Sequence, residues 1–257
     1  MTNLEYNSGA IAPGECISGG WNLVTARFGM YLGIGLLTML LIGCIPLVSV
    51  FLIGPVLAGF YYVALRDMRG DPVEFGMMFR GFENFVPLMV AGLIQSIPGI
   101  IITVVQYTVD FARLIEPRTV DRGDFFQARS ADATLSGLSL WLVVVIIGLT
   151  LSAVVWQVAL SFAIPLILER NLGVVDALTL SARAAVSNVG GLIVLVILEC
   201  LLGLLGLFAL CLGIFVAISV IYAANAFAYR QVFPLLNLPF DGAPPPMTYP
   251  GTYGANI

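Results

Sequence analysis

The chain has 257 residues, of which 60% are hydrophobic and only 10% are charged, and its mean hydropathy is +1.01. A soluble domain is about 45–50% apolar and about 25% charged, so this composition excludes a water-soluble globular fold. The net charge of −4 is small and unpatterned, and the chain has no basic run of the kind that binds nucleic acid. Apolar runs of about 20 residues predict an all-α bundle of membrane-spanning helices instead.

Two residue types that carry much enzyme chemistry are missing. All 11 basic residues are arginine, because the chain has neither lysine nor histidine. This excludes histidine bases, histidine metal sites and Schiff-base lysines. The four cysteines stand singly without metal-ligand spacing, and we interpret them as small buried apolar side chains. They are Cys16, Cys44, Cys200 and Cys211. We therefore predict a protein that is not an enzyme and that has no cofactor or metal.

The first half of the chain predicts a polar segment, residues 1–20, followed by a helical hairpin. Residues 1–20 lack the basic start of a signal peptide, so we expect the first membrane helix to direct insertion. The apolar stretch at 28–65 is too long for one span and contains Pro46 and Pro55, which we interpret as breaks. The spans predicted in this half cover residues 24–45, 48–66 and 86–109.

The second half predicts a solvent loop, three further spans and a flexible tail. The loop covers residues 110–132, where arginines alternate with acids. The apolar run at 138–168 exceeds the roughly 20 residues that a span needs, so this helix should tilt or project. The 40-residue run after Gly190 needs two passes. These two spans are predicted at 190–208 and 211–230, which completes six spans within a membrane domain at 21–230. The tail, 231–257, is rich in proline and glycine and favours an extended backbone.

The distribution of arginines between the two sides predicts how the chain is oriented in the membrane. Six spans put seven arginines on the side of both termini, which are Arg27, Arg66, Arg69, Arg80, Arg170, Arg183 and Arg230. The opposite side holds Arg113, Arg118, Arg122 and Arg129. Because cytoplasmic loops carry the excess of basic residues, we predict a multi-pass protein of the cell inner membrane with both termini cytoplasmic.

Two similar segments, each lying before a predicted span, indicate an internal repeat, and we call each of these segments an elbow. Val73 and Glu74 match Val175 and Asp176 in order and chemistry. Each copy reads as a span, a polar turn, a short amphipathic helix and a second span, with the amphipathic helices at 72–84 and 173–187. We expect both helices to lie in the interface plane on the cytoplasmic side.

The chain also carries motifs that resemble those of known membrane-protein families. The motifs are Gly20-Trp21-Asn22-Leu23-Val24, the run FAIPLILER at 162–170, Asp176-Ala177-Leu178 and Ser181. Together they resemble bacterial integral membrane proteins close to the YciC-like proteins and to the membrane domain of glycerophosphodiester phosphodiesterases. The resemblance covers most of residues 18–230, and it implies a fold and a cellular place but no catalytic chemistry.

One acid, Glu199, lies in the middle of an apolar run, and Gln95 and Gln157 fall at about the same depth in their own helices. An ionisable group there costs about 2.5–3.5 kcal/mol on insertion scales, so it should face protein or water and find a partner. The three residues are our candidate polar cluster. They could form an interhelical lock or part of a proton or solute path, or a partner subunit could supply the contact to Glu199.

Two weaker patterns have simpler interpretations. Gly29 and Gly33 have the spacing that lets membrane helices approach closely, but 27 glycines make this spacing common. Four loop acids could suggest a metal site, but they alternate with arginines, and a solvated salt-bridged loop is the better interpretation. These acids are Glu116, Asp121, Asp124 and Asp132.

Two hypotheses for function follow. The first is a non-enzymatic membrane scaffold or accessory subunit, with membrane lipids and a homo-oligomer or larger complex as partners. The second is a channel or transporter for a small solute or lipid. The absent catalytic residues and the elbows favour the first, and a polar, water-accessible cavity at Glu199 would favour the second.

Overall fold

The computed structural model describes residues 6–43, 46–115, 128–208 and 210–234, and in these ranges it contains helices and no strand. In chain order the helices are α1 (Pro13–Ala26), α2 (Phe28–Gly43), α3 (Pro46–Asp67), a 3-10 helix (Phe75–Phe82), α4 (Phe85–Ile115), α5 (Ala128–Leu160), α6 (Ala163–Arg170), α7 (Val174–Ser187), α8 (Val189–Phe208) and α9 (Leu210–Val232). The predicted all-α fold is confirmed. Most of the predicted tail, the middle of the predicted loop and Cys44 lie outside the described residues.

Five helical segments are long and apolar enough to cross a membrane. They are Ser49–Asp67, Phe85–Thr108, Val143–Arg170, Val189–Phe208 and Gly213–Val232. The pair α1 and α2 passes the same test only when its two helices are taken together, which raises the number to six. The protein is therefore a polytopic helical membrane protein with five or six helices that could span the bilayer, and the count of six stays a prediction.

The start of α2 and the end of α3 lie at the same end of the bundle. The Tyr31 hydroxyl donates to Asp67 Oδ2 at 2.9 Å, and Arg27 Nη1 lies 3.5 Å from Asp67 Oδ1. Since these residues begin α2 and finish α3, the two helices run antiparallel, as predicted for the hairpin. Pro46 begins α3, but Pro55 lies inside it, and the expected break at Pro55 is wrong.

Residues 6–12 form an N-terminal strap across the ends of later helices. The backbone N–H of Asn7 donates to the Val232 carbonyl at 2.9 Å. The Asn188 side chain accepts from the Ala10 N–H at 2.9 Å and donates to the Asn7 carbonyl at 3.0 Å. The strap therefore joins the beginning of the chain to the end of α9 and to the α7–α8 junction.

Helix α1 differs most from the sequence prediction. Helix α1 crosses residue 20, where the polar segment was predicted to end and the membrane domain to begin. A single span from residue 24 was also expected, but the helix axis turns by 106° between α1 and α2 at Arg27. The turn lets α1 pack on α9, where a Cβ on Gly20 would lie 2.8 Å from the Ala224 nitrogen. Close approach of this kind is how small residues bring membrane helices together. Gly29, one of the two glycines with that spacing in the sequence, has open space around it.

The predicted helix at 138–168 is interrupted between α5 and α6. Pro165 has no N–H and disfavours a continuous helix through this point. Ser181 of α7 repairs the break, because its hydroxyl donates to the Ala159 carbonyl at 2.8 Å and accepts from the Phe162 N–H at 3.1 Å. Tertiary contact thus fixes the position of α6 relative to α7.

Both predicted elbows contain helical segments, the 3-10 helix in the first and α7 in the second. In α7 the packed face is Ala177, Ser181 and Ala184, whereas Val175 is 71% exposed. Asp176 is also exposed. Helix α7 therefore presents a buried stripe, a polar stripe and exposed valine.

Candidate functional site

The three residues of the candidate polar cluster line one cavity. Glu199 of α8, Gln157 of α5 and Gln95 of α4 border a space of about 220 Å³, which we call the Glu199 cavity. Residues of α3, α6 and α9 complete its wall. The remaining lining residues of polar character are Tyr61, Ser161, Tyr222 and Asn225. Whether the three predicted residues act together stays a prediction, but the fold brings them to one place.

Asn225 is the hydrogen-bond partner of Glu199. Its Nδ2 donates to Glu199 Oε1 at 2.7 Å and to the Ile221 carbonyl of its own helix at 3.1 Å. Asn225 was not among the site residues predicted from the sequence, although a lone asparagine inside an apolar helix is a detectable signal. A carboxyl group held this way has a second oxygen with which to bind a cation or, when protonated, to donate a hydrogen bond.

A second and larger cavity adjoins the first. It occupies about 850 Å³ between α3, α4 and α5, and we call it the cleft. Ile53, Gln95 and Gln157 line both the cleft and the Glu199 cavity, so the two spaces meet at these side chains. Three hydroxyl groups in the cleft donate to carbonyls of their own helices, for example Thr103 to Gly99 at 2.8 Å. The cleft wall beside the glutamines is consequently largely apolar.

A proline and a tryptophan hold the helices that border the cleft. Pro98 lies inside α4 and cannot donate to the carbonyl of Ile94, four residues earlier. The Trp156 indole N–H of α5 donates to that carbonyl at 3.0 Å. The carbonyl that Pro98 leaves without a helical partner thus accepts a hydrogen bond that joins α4 to α5 beside the cleft.

A second polar group, which the sequence analysis also missed, lies at the end of the bundle that holds the strap. Glu169 of α6 is bound by both Nη atoms of Arg230, at 2.6 and 2.9 Å, by the Tyr229 hydroxyl at 2.8 Å and by Arg69. The Glu169 side chain is only 8% exposed. This carboxylate therefore joins the turn after α3, the end of α6 and the end of α9.

Other predicted features carry no site in the described part of the chain. No group of three or more potential metal ligands occurs there. The loop acids Glu116, Asp121 and Asp124 lie outside the described residues, and the side chain of Asp132 does too.

Comparison with known proteins finds no matching family model, no matching curated protein and no matching solved structure. The resemblance to the YciC-like proteins and the phosphodiesterase membrane domain therefore stays a prediction.

Proposed function

We propose that this protein binds a small lipid-like amphiphile from the bilayer and carries it past Glu199. The observation that supports this proposal is the junction of the cleft with the Glu199 cavity at Ile53, Gln95 and Gln157. An apolar space that ends in a few polar groups is the usual form of a small-molecule site. We favour transport over a scaffold because Glu199 borders a partly polar cavity.

The shape of the two spaces suggests how an amphiphile would lie. The cleft volume of about 850 Å³ falls within the roughly 300–1,000 Å³ of small-molecule pockets. Its rim includes Val104 and Tyr107, which are 58% and 70% exposed and would face lipid. A hydrocarbon chain entering between α4 and α5 would stay in apolar surroundings, while its polar end would meet Gln95, Gln157 and Glu199.

The cleft proposal predicts labelling that is confined to one face of the bundle. A diazirine-bearing fatty amine in liposomes should crosslink to peptides of α4 and α5, and Ala153→Trp should abolish most of this labelling by filling the cleft. Leu205→Trp is the matched control, because Leu205 is 65% exposed on α8 and does not line the cleft. Peptide mass spectrometry of the adducts and the melting temperature of each variant provide the measurements. Labelling spread evenly over all spans, and unchanged by Ala153→Trp, would contradict specific binding.

A scaffold or accessory subunit is the second candidate, and the lengths of α4 and α5 favour it. Helix α4 has 31 residues and α5 has 33. At 1.5 Å per residue these helices are about 46 and 50 Å long, which exceeds the roughly 30 Å hydrocarbon core of a bilayer. A projecting helical pair would suit contact with a second copy or with a larger membrane complex.

We further propose that the protein crosses the cell inner membrane six times with both termini cytoplasmic and both elbows in the interface plane. The strap and the Glu169 contacts support this, because they gather the beginning of the chain, the turn after α3 and the end of α9 at one end. The arginine excess at that end favours the cytoplasm. Helix α2, with 16 residues, would be the sixth span.

This topology predicts opposite labelling of the loop and the termini. In a variant without native cysteines, a cysteine introduced near residue 122 should react with an impermeant maleimide from outside the cell. Cysteines introduced at residues 5 and 250 should react only after the membrane is opened. External labelling of either terminus would contradict the six-span arrangement.

A further inference from the structure

The guanidinium groups around Glu169 carry more positive charge than their acidic partner offsets. Arg69 and Arg230 bind Glu169, and their side chains are only 15% and 10% exposed. Arg170 follows Glu169 in sequence and lies 5.1 Å from the centre of the Phe233 ring. Arginine does not lose its proton in proteins, so within the described residues the Glu169 carboxylate binds two positive charges, and Arg170, the next residue, adds a third.

The other acids described at this end of the bundle have partners of their own. Asp67 lies 3.5 Å from Arg27, and Asp71 lies 3.5 Å from Arg66, so each has its own arginine. Glu15 is exposed and accepts a hydrogen bond from Gln231 at 3.3 Å. A largely buried positive excess is costly unless an anion compensates it.

The arginine cluster lies where a bilayer would place its headgroups. Arg170 is the last residue of the candidate span Val143–Arg170, and Arg230 lies two residues before the end of the span Gly213–Val232. Arg69 follows the span that ends at Asp67 by two residues. The three arginines therefore lie at the ends of three candidate spans, where a bilayer would place its lipid phosphates.

We propose that Arg69, Arg170 and Arg230 bind the phosphate group of an anionic phospholipid. Planar guanidinium groups match phosphate oxygens with paired hydrogen bonds, and basic pockets between membrane helices suit anionic headgroups. Two buried donors support the proposal, because Arg170 Nε and Arg230 Nε make no hydrogen bond within the described part of the chain. Within the described residues Arg170 contacts the Phe233 ring and makes one long hydrogen bond of 3.5 Å, from Nη2 to the Pro234 carbonyl. The proposal does not depend on the cleft or on Glu199.

Native mass spectrometry of the full chain in nonionic detergent tests this proposal. The protein is incubated with equal amounts of phosphatidylglycerol and phosphatidylcholine, and in a separate sample with inorganic phosphate. Wild-type protein should retain phosphatidylglycerol in preference to phosphatidylcholine, and Arg170→Gln should lower that retention about fivefold, the effect of about one arginine at a membrane surface. Equal retention of both lipids by wild-type protein would overturn the proposal. So would a phosphate adduct without any lipid preference, because it would show an anion site unrelated to lipid.

Arg183→Gln provides the matched control, since Arg183 is exposed on α7 and its loss changes the net charge equally. This variant should retain phosphatidylglycerol as wild-type protein does. Equal losses in Arg170→Gln and Arg183→Gln would show attraction by overall charge only, and would overturn the site. Arg170→Lys separates folding from binding, because it keeps the charge without the planar fork and should retain an intermediate amount of lipid. Thermal unfolding of each variant without added lipid shows that the compared proteins are folded.

Discussion

Glu169→Gln is expected to lower the free energy of unfolding by about 3–5 kcal/mol, the usual cost of removing one member of a buried ion pair. The Glu169 side chain is 8% exposed, and its two oxygens bind Arg69, Arg230 and the Tyr229 hydroxyl. An amide keeps the size of the side chain but removes the negative charge. The guanidinium groups would then remain largely buried without a counter-charge. Thermal and denaturant unfolding in mild detergent provide the measurement.

A surface ion pair provides the control for Glu169→Gln. Glu83 is 57% exposed and lies 3.3 Å from Arg80, so Glu83→Gln should cost no more than about 1 kcal/mol. The double variant Glu169→Gln with Arg69→Gln should recover part of the lost stability, because it removes one of the uncompensated charges. If Glu169→Gln unfolded at the same temperature as Glu83→Gln, the buried network would contribute little to the fold.

The spans could be predicted from the sequence because a membrane imposes a length and an apolar composition on any helix that crosses it. The predicted span at 190–208 differs by one residue from α8, Val189–Phe208, for this reason. The same constraint explains why the sequence alone was enough to group Gln95, Gln157 and Glu199. Residues near the middle of neighbouring spans lie at similar depth, so their positions along the chain already predict proximity.

Contacts between distant residues were not predictable by this reasoning. Ser181 bridges the break between α5 and α6, and Trp156 uses the carbonyl freed by Pro98, yet neither pattern has a local signal. The contacts of Glu169 with Arg69, Tyr229 and Arg230, which we call the Glu169 network, join residues about 60 and 100 positions apart in the sequence. A proline or a charged residue shows that a partner is needed, whereas only the packing of the helices shows which residue provides it.

The Glu199 cavity and the Glu169 network would have different purposes under the proposed function. The network is fully paired at Glu169 and ties three elements together, so it suits a fixed end of the bundle. Within the described residues Glu199 is held by Asn225, and it borders the cavity that meets the cleft. An acid with a free oxygen beside a cavity is better suited to bind a ligand than to fasten helices. Substitutions at the two acids should consequently affect different properties.

Glu199→Gln is expected to lower transport about ten- to a hundredfold, because a hydrogen bond to a charged group contributes about 1.5–3 kcal/mol. Its melting temperature should stay close to that of wild-type protein, since the amide oxygen can still accept the Asn225 hydrogen bond. Glu199→Leu should lose transport too and also weaken packing by roughly 0.6–2 kcal/mol, the range for hydrogen bonds between membrane helices. Leaflet exchange of a fluorescent fatty amine, proton leak into liposomes and thermal unfolding measure these effects.

Glu74→Gln is the control for these variants. Glu74 is exposed, and this substitution makes the same change from carboxylate to amide outside the cavity. It should leave transport and stability unchanged. A structural lock would give another ranking, since Glu199→Gln would then keep wild-type transport and stability while Glu199→Leu alone loosened the bundle. That ranking would contradict the transport proposal and favour the scaffold. Loss of transport in Glu199→Gln with an unchanged melting temperature would mean that the charge of Glu199, and not its packing, is what the protein uses.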